Sequence, residues 1–301
     1  MGDTRRGAAF GATAYLLWGI FPLYFPLLEP AGAVEVLAHR VVWSLVVVAG
    51  LVQLTGRWPR VRAVLADRDK VLRLGTAACF LAVNWGVYIY GVTSGRVVET
   101  SLGYFINPLV TVMLGVVVLH EQLRRAQWVA LGVATVAVLF LTVQGGRLPW
   151  IALVLAFSFG AYGLLKKTSQ VGALEGLTVE TAVLTPVALI YLFAIQATGH
   201  ATLTSHGPGH ATLLALTGVI TAVPLLFFGA AASRVTLTTL GVLQYLAPTL
   251  QFLLGVLFFH EEMGVARLLG FCLVWAALCM FTADLLGQRR RSARFVVAEP
   301  V

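Results

Sequence analysis

Charge is what this chain has least of. Only 11% of its 301 residues are Asp, Glu, Lys or Arg, against about 25% in soluble domains, while 59% are apolar. A water-soluble core cannot absorb that apolar excess, so a soluble enzyme or binding module does not account for the chain. Cysteine is also scarce. Cys79, Cys272 and Cys279 fall in apolar runs, have no metal-type spacing and form no even-numbered disulfide framework, so they are read as small packing residues. The chain has no GxxxxGK[ST] phosphate loop, no HExxH and no GxSxG. It also lacks a cluster of His, Asp or Cys that could assemble a nucleophile or hold a metal. These absences count against nucleotide hydrolysis and against a lipid-modifying membrane enzyme, and they leave no catalytic residue, metal ligand or cofactor to assign. The net charge of +8 lies in short polar breaks and at the C-terminus, which suits cytoplasmic flanks better than nucleic-acid binding.

What the chain does have is a series of apolar runs of about 20 residues, the length that crosses a hydrocarbon core about 30 Å thick. Read against Gly, Pro and charge breaks, they predict an all-α integral membrane protein with spans at 8–28, 34–54, 72–92, 97–119, 125–143, 148–166, 177–197, 211–232, 236–259 and 265–286. Arg5 and Arg6 precede a first run that continues past Trp18, Pro22 and Pro26 with no small-residue cleavage site, so that run is expected to be a helix rather than a leader. With both termini cytoplasmic, 17 of the 21 Lys and Arg residues fall inside and only Arg40, Arg96, Arg147 and Arg267 fall outside, a bias that sets the orientation.

Internal self-similarity is the strongest signal. Tyr104 to Glu121 (YFINPLVTVMLGVVVLHE) lies over Gln244 to Glu261 (QYLAPTLQFLLGVLFFHE) at an offset of 140, with Pro, Gly and His-Glu in register. Trp18-Gly19 echoes Tyr162-Gly163 more weakly. The predicted halves are 1–143 and 148–287, followed by a basic cytoplasmic tail, 288–301. Five crossings per half make the second half enter from the opposite side. Inverted repeats of this kind are a transporter architecture, with the substrate near the midplane and access alternating by rocking.

The stretches LGYFINPLVTVMLG, LQYLAPTLQFLLG, AHRVVWSL, NWGVYIYGVTSGRVVETSLGYF and LAFSFGAYGLLKK resemble the RarD branch of the EamA-type drug/metabolite transporters over residues 7–287. The resemblance implies ten transmembrane helices as two EamA repeats, an inner-membrane location, and efflux or exchange of small metabolites or drugs. It brings a chloramphenicol-sensitivity label but no defined physiological substrate.

Polar residues at membrane depth are the candidate site. Glu35, His39 and Trp43 share a helical stripe beside Arg40. They either snorkel to the outer interface or line an outer vestibule, in which Arg40 attracts an anionic group and Glu35 or His39 takes a proton. Asn84 and Tyr88 share another stripe, with Trp85 adjacent. Tyr104, Asn107 and Thr111 form a third, interrupted by Pro108, and it recurs as Gln244 and Gln251 around Pro248, with Tyr245 a further candidate beside Gln244. The two prolines are expected to kink their helices and free backbone carbonyls toward a cavity, although plain interhelical packing gives the same pattern. Glu99 and Glu180 are either dipole partners near helix starts or further proton-coupling candidates. His120-Glu121 and His260-Glu261 are read as interfacial caps. Lys166 and Lys167 are read as orientation signals, unless Lys166 reaches the cavity. The favoured function is a secondary carrier that acts as a monomer on a small-molecule substrate, within a lipid bilayer and without nucleic acid. A lipid-carrier flippase is the alternative, recognisable by an open lateral groove.

Overall fold

The computed structural model describes residues 2–93, 97–145 and 150–257, and scattered helical positions between 265 and 280. Among the described residues the chain is helical and has no strand. The helices are α1 (Gly2–Gly19), α2 (Ala33–Leu54), α3 (Trp58–Ala66), α4 (Arg68–Thr93), α5 (Val97–Leu119), α6 (Arg125–Gly145), α7 (Trp150–Thr168), α8 (Ala173–Ala197), α9 (Gly207–Ala232), α10 (Leu237–Leu243) and α11 (Leu246–Leu257). Five of these are long and apolar enough to cross a membrane on length and composition, within Ala33–Leu54, Arg68–Tyr88, Trp150–Thr168, Ala173–Ala197 and Gly207–Ala232. Gly103–Leu119 is a shorter apolar helix. The predicted tenth span lies mostly outside the described residues, as do His260, Glu261 and the basic tail.

The structure differs from the predicted spans at three places. The first helix stops at Gly19, and the rest of the 8–28 run forms two 3-10 turns, Phe21–Leu23 and Phe25–Leu28. Pro22 and Pro26 sit at their starts, where a missing N–H costs nothing but an α-helix would lose its i−4 bonds. The 236–259 run divides at Gln244–Tyr245. Pro248 has no N–H to give the Gln244 carbonyl, and the backbone tightens to Tyr245 N→Val242 O (3.2 Å) and Ala247 N→Gln244 O (3.3 Å). Pro248 therefore lies in the first turn of α11, whereas Pro108 sits inside an unbroken α5. A short helix missed by hydropathy, α3, caps the break after α2, with Pro59 in its first turn.

Because lipid is apolar, helix association here needs close packing and polar contacts rather than hydrophobic burial alone. α2 lies between α8 and α9, α7 packs on α4 and α5, α1 packs on α9 and α11, and α5 packs on α10. A Cβ on Gly218 would come within 2.4 Å of the Trp43 backbone, so α9 approaches α2 at a distance only glycine allows. Tyr15, Trp18, Phe159, Tyr162 and Phe228 fill the crossing of α1, α7 and α9, with Tyr162 and Phe228 stacked at 5.5 Å. Large apolar side chains cover the outside, including Leu54 at 85% exposure and Val143 at 79%. That belt suits hydrocarbon as its solvent. Cys79, Cys272 and Cys279 are exposed, not packed inside, which corrects their reading as packing residues: a small apolar thiol is as well solvated by lipid as by a core.

Candidate functional site

α2 enters the bundle at Ala33, and two turns later Arg40 points away from that end. Its Nε donates to Thr221 Oγ1 at 2.9 Å, and Thr221 lies halfway along α9. The guanidinium stacks over Trp85 at 4.8 Å, with Phe25 and Phe21 at 5.7 and 5.8 Å. Tyr88 and Tyr104, ring centroids 6.0 Å apart, join α4 to α5 within electrostatic reach of the same group. Among the described residues no carboxylate pairs with Arg40. A half-buried cation among aromatic faces is held by their quadrupoles and keeps part of its hydrogen-bonding fork for another acceptor.

One turn toward the Ala33 end, Glu35, His39, Thr202 and His210 are all buried together. Glu35 Oε1 accepts from the Thr202 N–H at 2.7 Å and lies 4.0 Å from His39 Nε2, while Thr202 Oγ1 meets His210 Nε2 at 2.9 Å. Trp43 faces α9 further along, and its buried Nε1 has no partner among the described residues.

A second group of unpartnered polar atoms lies where α1, α5 and α10 meet. Asn107 Oδ1, Thr111 Oγ1 and both side-chain atoms of Gln244 are buried without hydrogen bonds among the described residues. The Tyr15 hydroxyl faces the Gln244 carboxamide without reaching hydrogen-bonding geometry. Leaving such atoms unpaired costs about 1–3 kcal/mol each, so their concentration marks this crossing as a candidate site. Other predicted residues are occupied in packing. Asn84 Nδ2 donates to Leu155 O at 2.9 Å and Ser158 Oγ at 3.0 Å, tying α4 to α7. Gln251 Nε2 donates to Trp18 O at 3.3 Å, and Tyr245 Oη donates to Phe105 O at 3.5 Å. The side chain of Glu99 lies outside the described residues.

At the far end of the bundle, Lys166 Nζ meets Glu180 Oε1 at 2.6 Å, and the Tyr162 hydroxyl donates to Glu180 Oε2 at 3.3 Å. α8 begins at Ala173, so Glu180 stands in its second turn, beyond the first-turn position expected for a dipole partner. Lys166 is likewise more than an orientation signal, since it is 4% exposed and threads between Gly176 and Gly229. Glu121 caps a helix, but a different one from its own. Its carboxylate accepts from Leu237 N (2.6 Å), Thr238 N (2.8 Å) and Thr238 Oγ1 (2.6 Å) at the start of α10. Apart from these polar groups, a shallow apolar cleft opens between α5, α6 and α10, lined by Pro108, Leu109, Val112, Ala130, Val242 and Tyr245 among others.

Sequence reasoning missed Phe21, Phe25, Thr202, His210 and Thr221. The two phenylalanines are in the prolyl stretch read as the end of a helix, and Thr202 and His210 are in the break between the predicted spans 177–197 and 211–232. Their shared signal is polarity or aromaticity without periodicity, which no stripe analysis detects.

The EamA-like transporter family model matches residues 5–143. Protein RarD of Streptomyces exfoliatus is 55% identical over 299 residues, covering 99% of this chain and 95% of that protein. An uncharacterized transporter of Pseudomonas aeruginosa is 42% identical, covering 96% and 97%. A crystal structure superposes with a TM-score of 0.70 at 20% identity, over 94% of this chain and 98% of its own, a likeness of fold. With apolar helices of membrane length, an interior cation and near-full-length relatives of these names, the chain is a multi-pass membrane protein that belongs to the RarD proteins of the EamA-like transporter family.

Proposed function

We propose that this protein is a secondary carrier that moves a small organic solute across the bacterial inner membrane by alternating access, without nucleotide hydrolysis, and that Arg40 anchors an anionic group of that solute. The carrying observation is the Arg40 guanidinium, which pairs with no carboxylate among the described residues, is turned toward the middle of the bundle and is framed by Trp85, Phe21 and Phe25. Charge at that depth is expensive and marks a substrate or ion path. Both termini are cytoplasmic in this reading, because Arg57, Arg73, Lys166, Lys167 and Arg234 gather at one end of the bundle.

The packing supports two inverted five-helix repeats. Exchanging α1, α2, α4 and α5 with α7, α8, α9 and α10–α11 turns the α4·α7 contact into α1·α9, and the α2·α9 contact into α4·α8. The same exchange leaves α2·α8 and α5·α10 unchanged. Tyr245 and its acceptor Phe105 are themselves separated by the repeat offset of 140. A site between Arg40 and the unpartnered Asn107 and Gln244 then lies at the repeat interface, where rocking of one half on the other exposes it to each side in turn.

The apolar cleft between α5 and α6 supports a second reading, a flippase that holds a lipid carrier laterally. The test is flux of a labelled solute panel, amino acids and amphenicols included, from proteoliposomes with and without a pH gradient, beside an assay of lipid-carrier translocation. Movement of a soluble compound supports the carrier. Movement of the lipid alone supports the flippase.

A further inference from the structure

His39 is 3% exposed and its Nε2 has no hydrogen-bond partner among the described residues, yet a carboxylate oxygen of Glu35 lies 4.0 Å away. An orphaned polar atom at such a site is costly, and a second observation shows what the cost serves. Residues from both halves of the chain continue the line outward. Glu35 holds the Thr202 N–H, Thr202 Oγ1 meets His210 Nε2, and the His210 ring stands 5.6 Å from that of His206, which is exposed. Acidic and imidazole groups therefore run from the surface strap at 198–206 to a point one residue from Arg40. Chains of such groups are the means by which membrane carriers admit protons.

We propose that His39 is the proton-binding residue of the transport cycle, with Glu35 as its counter-ion and His206 and His210 as its entry from the outer face. The inference rests on the carrier reading above. When His39 takes a proton from the outside, Nε2 becomes a donor and the 4.0 Å approach to Glu35 can close into an ion pair. That contact competes with the Thr202 N–H for Glu35 Oε1, so proton uptake loosens the strap from α2 beside the substrate anchor. Loss of the proton to the other side restores the bond to Thr202. The groups facing this pair are His210 from α9 and Tyr191 from α8, the latter toward Glu35. From α4 the neighbouring group is Trp85, over Arg40. Among the described residues no second carboxylate pairs with His39, so one proton decides the partner of Glu35.

The experiment compares wild type with His39→Gln in proteoliposomes, measuring solute exchange without a gradient and accumulation driven by an inward pH gradient. The expected result is that His39→Gln keeps measurable exchange at a reduced rate but loses gradient-driven accumulation, so that the ratio of accumulation to exchange falls. Retained accumulation overturns the inference, and so does loss of both activities, which would make His39 a structural or substrate-binding residue. Wild type that exchanges but gains nothing from the gradient overturns it too, while leaving the carrier standing. A readout independent of transport uses Thr204→Cys, an exposed strap position, with Cys79, Cys272 and Cys279 replaced by Ala. The ratio of maleimide labelling rates, wild type to His39→Gln, is expected to rise as the medium is acidified from neutral, as His39 takes up its proton. A ratio that does not change with pH overturns the inference even if no solute is ever found to move.

Discussion

Lys166 and Glu180 form an ion pair at 2.6 Å with both side chains 2% exposed, and the glycines at 176 and 229 leave the space through which the lysine reaches its partner. Desolvating two charges is repaid only while both are present. Glu180→Leu or Lys166→Met alone is therefore expected to lower stability by about 3–5 kcal/mol, while Lys166→Met/Glu180→Leu together recovers most of the loss. Thermal unfolding in detergent, followed through the double-mutant cycle, checks this. Additive losses would show that the two residues act separately.

Glu121 gives a second stability test. Its carboxylate satisfies two backbone N–H groups and one hydroxyl at the start of α10, joining the end of α5 to the second half of the chain. Charge-assisted bonds are worth about 1.5–3 kcal/mol each at most, and cap removal typically costs about 1 kcal/mol. Glu121→Ala is expected to lower the unfolding midpoint clearly, and Glu121→Gln, which keeps one acceptor, by less. Equal midpoints in all three proteins would contradict this.

The α2–α9 contact predicts a steric effect. A Cβ at Gly218 would stand 2.4 Å from the Trp43 carbonyl carbon, which is backbone and cannot swing away. Gly218→Ala is expected to cost about 1–3 kcal/mol by overpacking and to reduce the folded yield. Gly50, with open space around it, accepts Ala without loss and serves as the control.

Asp67 predicts a pH dependence outside the membrane spans. It accepts from the Lys70 N–H at 3.1 Å and pairs with Lys70 Nζ at 2.9 Å at the start of α4. The Lys70 side-chain hydrogen bond, chiefly, holds its carboxyl below the ordinary value of 3.8. The sign follows from that direction: the contribution is fully present above 3.8 and is lost as pH falls through the lower folded value. Hydrogen exchange of the first α4 turn is expected to speed up only below that range. Asp67→Asn, which can still cap, is expected to remove the pH dependence.

Much of this architecture was legible because the bilayer reduces the problem to length and polarity. Leu and Val runs mark the apolar helices, and the Pro108/Pro248 register is the sequence signal behind the proposed repeat. The same register overstated symmetry, because Pro248 breaks its run at Gln244 while Pro108 leaves α5 whole. At the site, Arg40, Tyr88 and Tyr104 were marked by depth and spacing, and the structure brings them together. His210, Thr202 and Thr221 approach α2 from positions more than 160 residues away, and no local period carries that information. Lys166 and Glu180, read as termini features, meet only because α8 starts earlier than its apolar run.

The most direct test of the account measures, for a solute that the protein moves, how flux depends on the solute's acidic group. Arg40 offers a charged fork among aromatic faces, so wild type is expected to prefer the acid strongly over its uncharged amide. Arg40→Ala, at matched abundance, is expected to lose that preference with the amide rate little changed. A variant that still discriminates acid from amide as wild type does would contradict the assignment of Arg40 as the anchor.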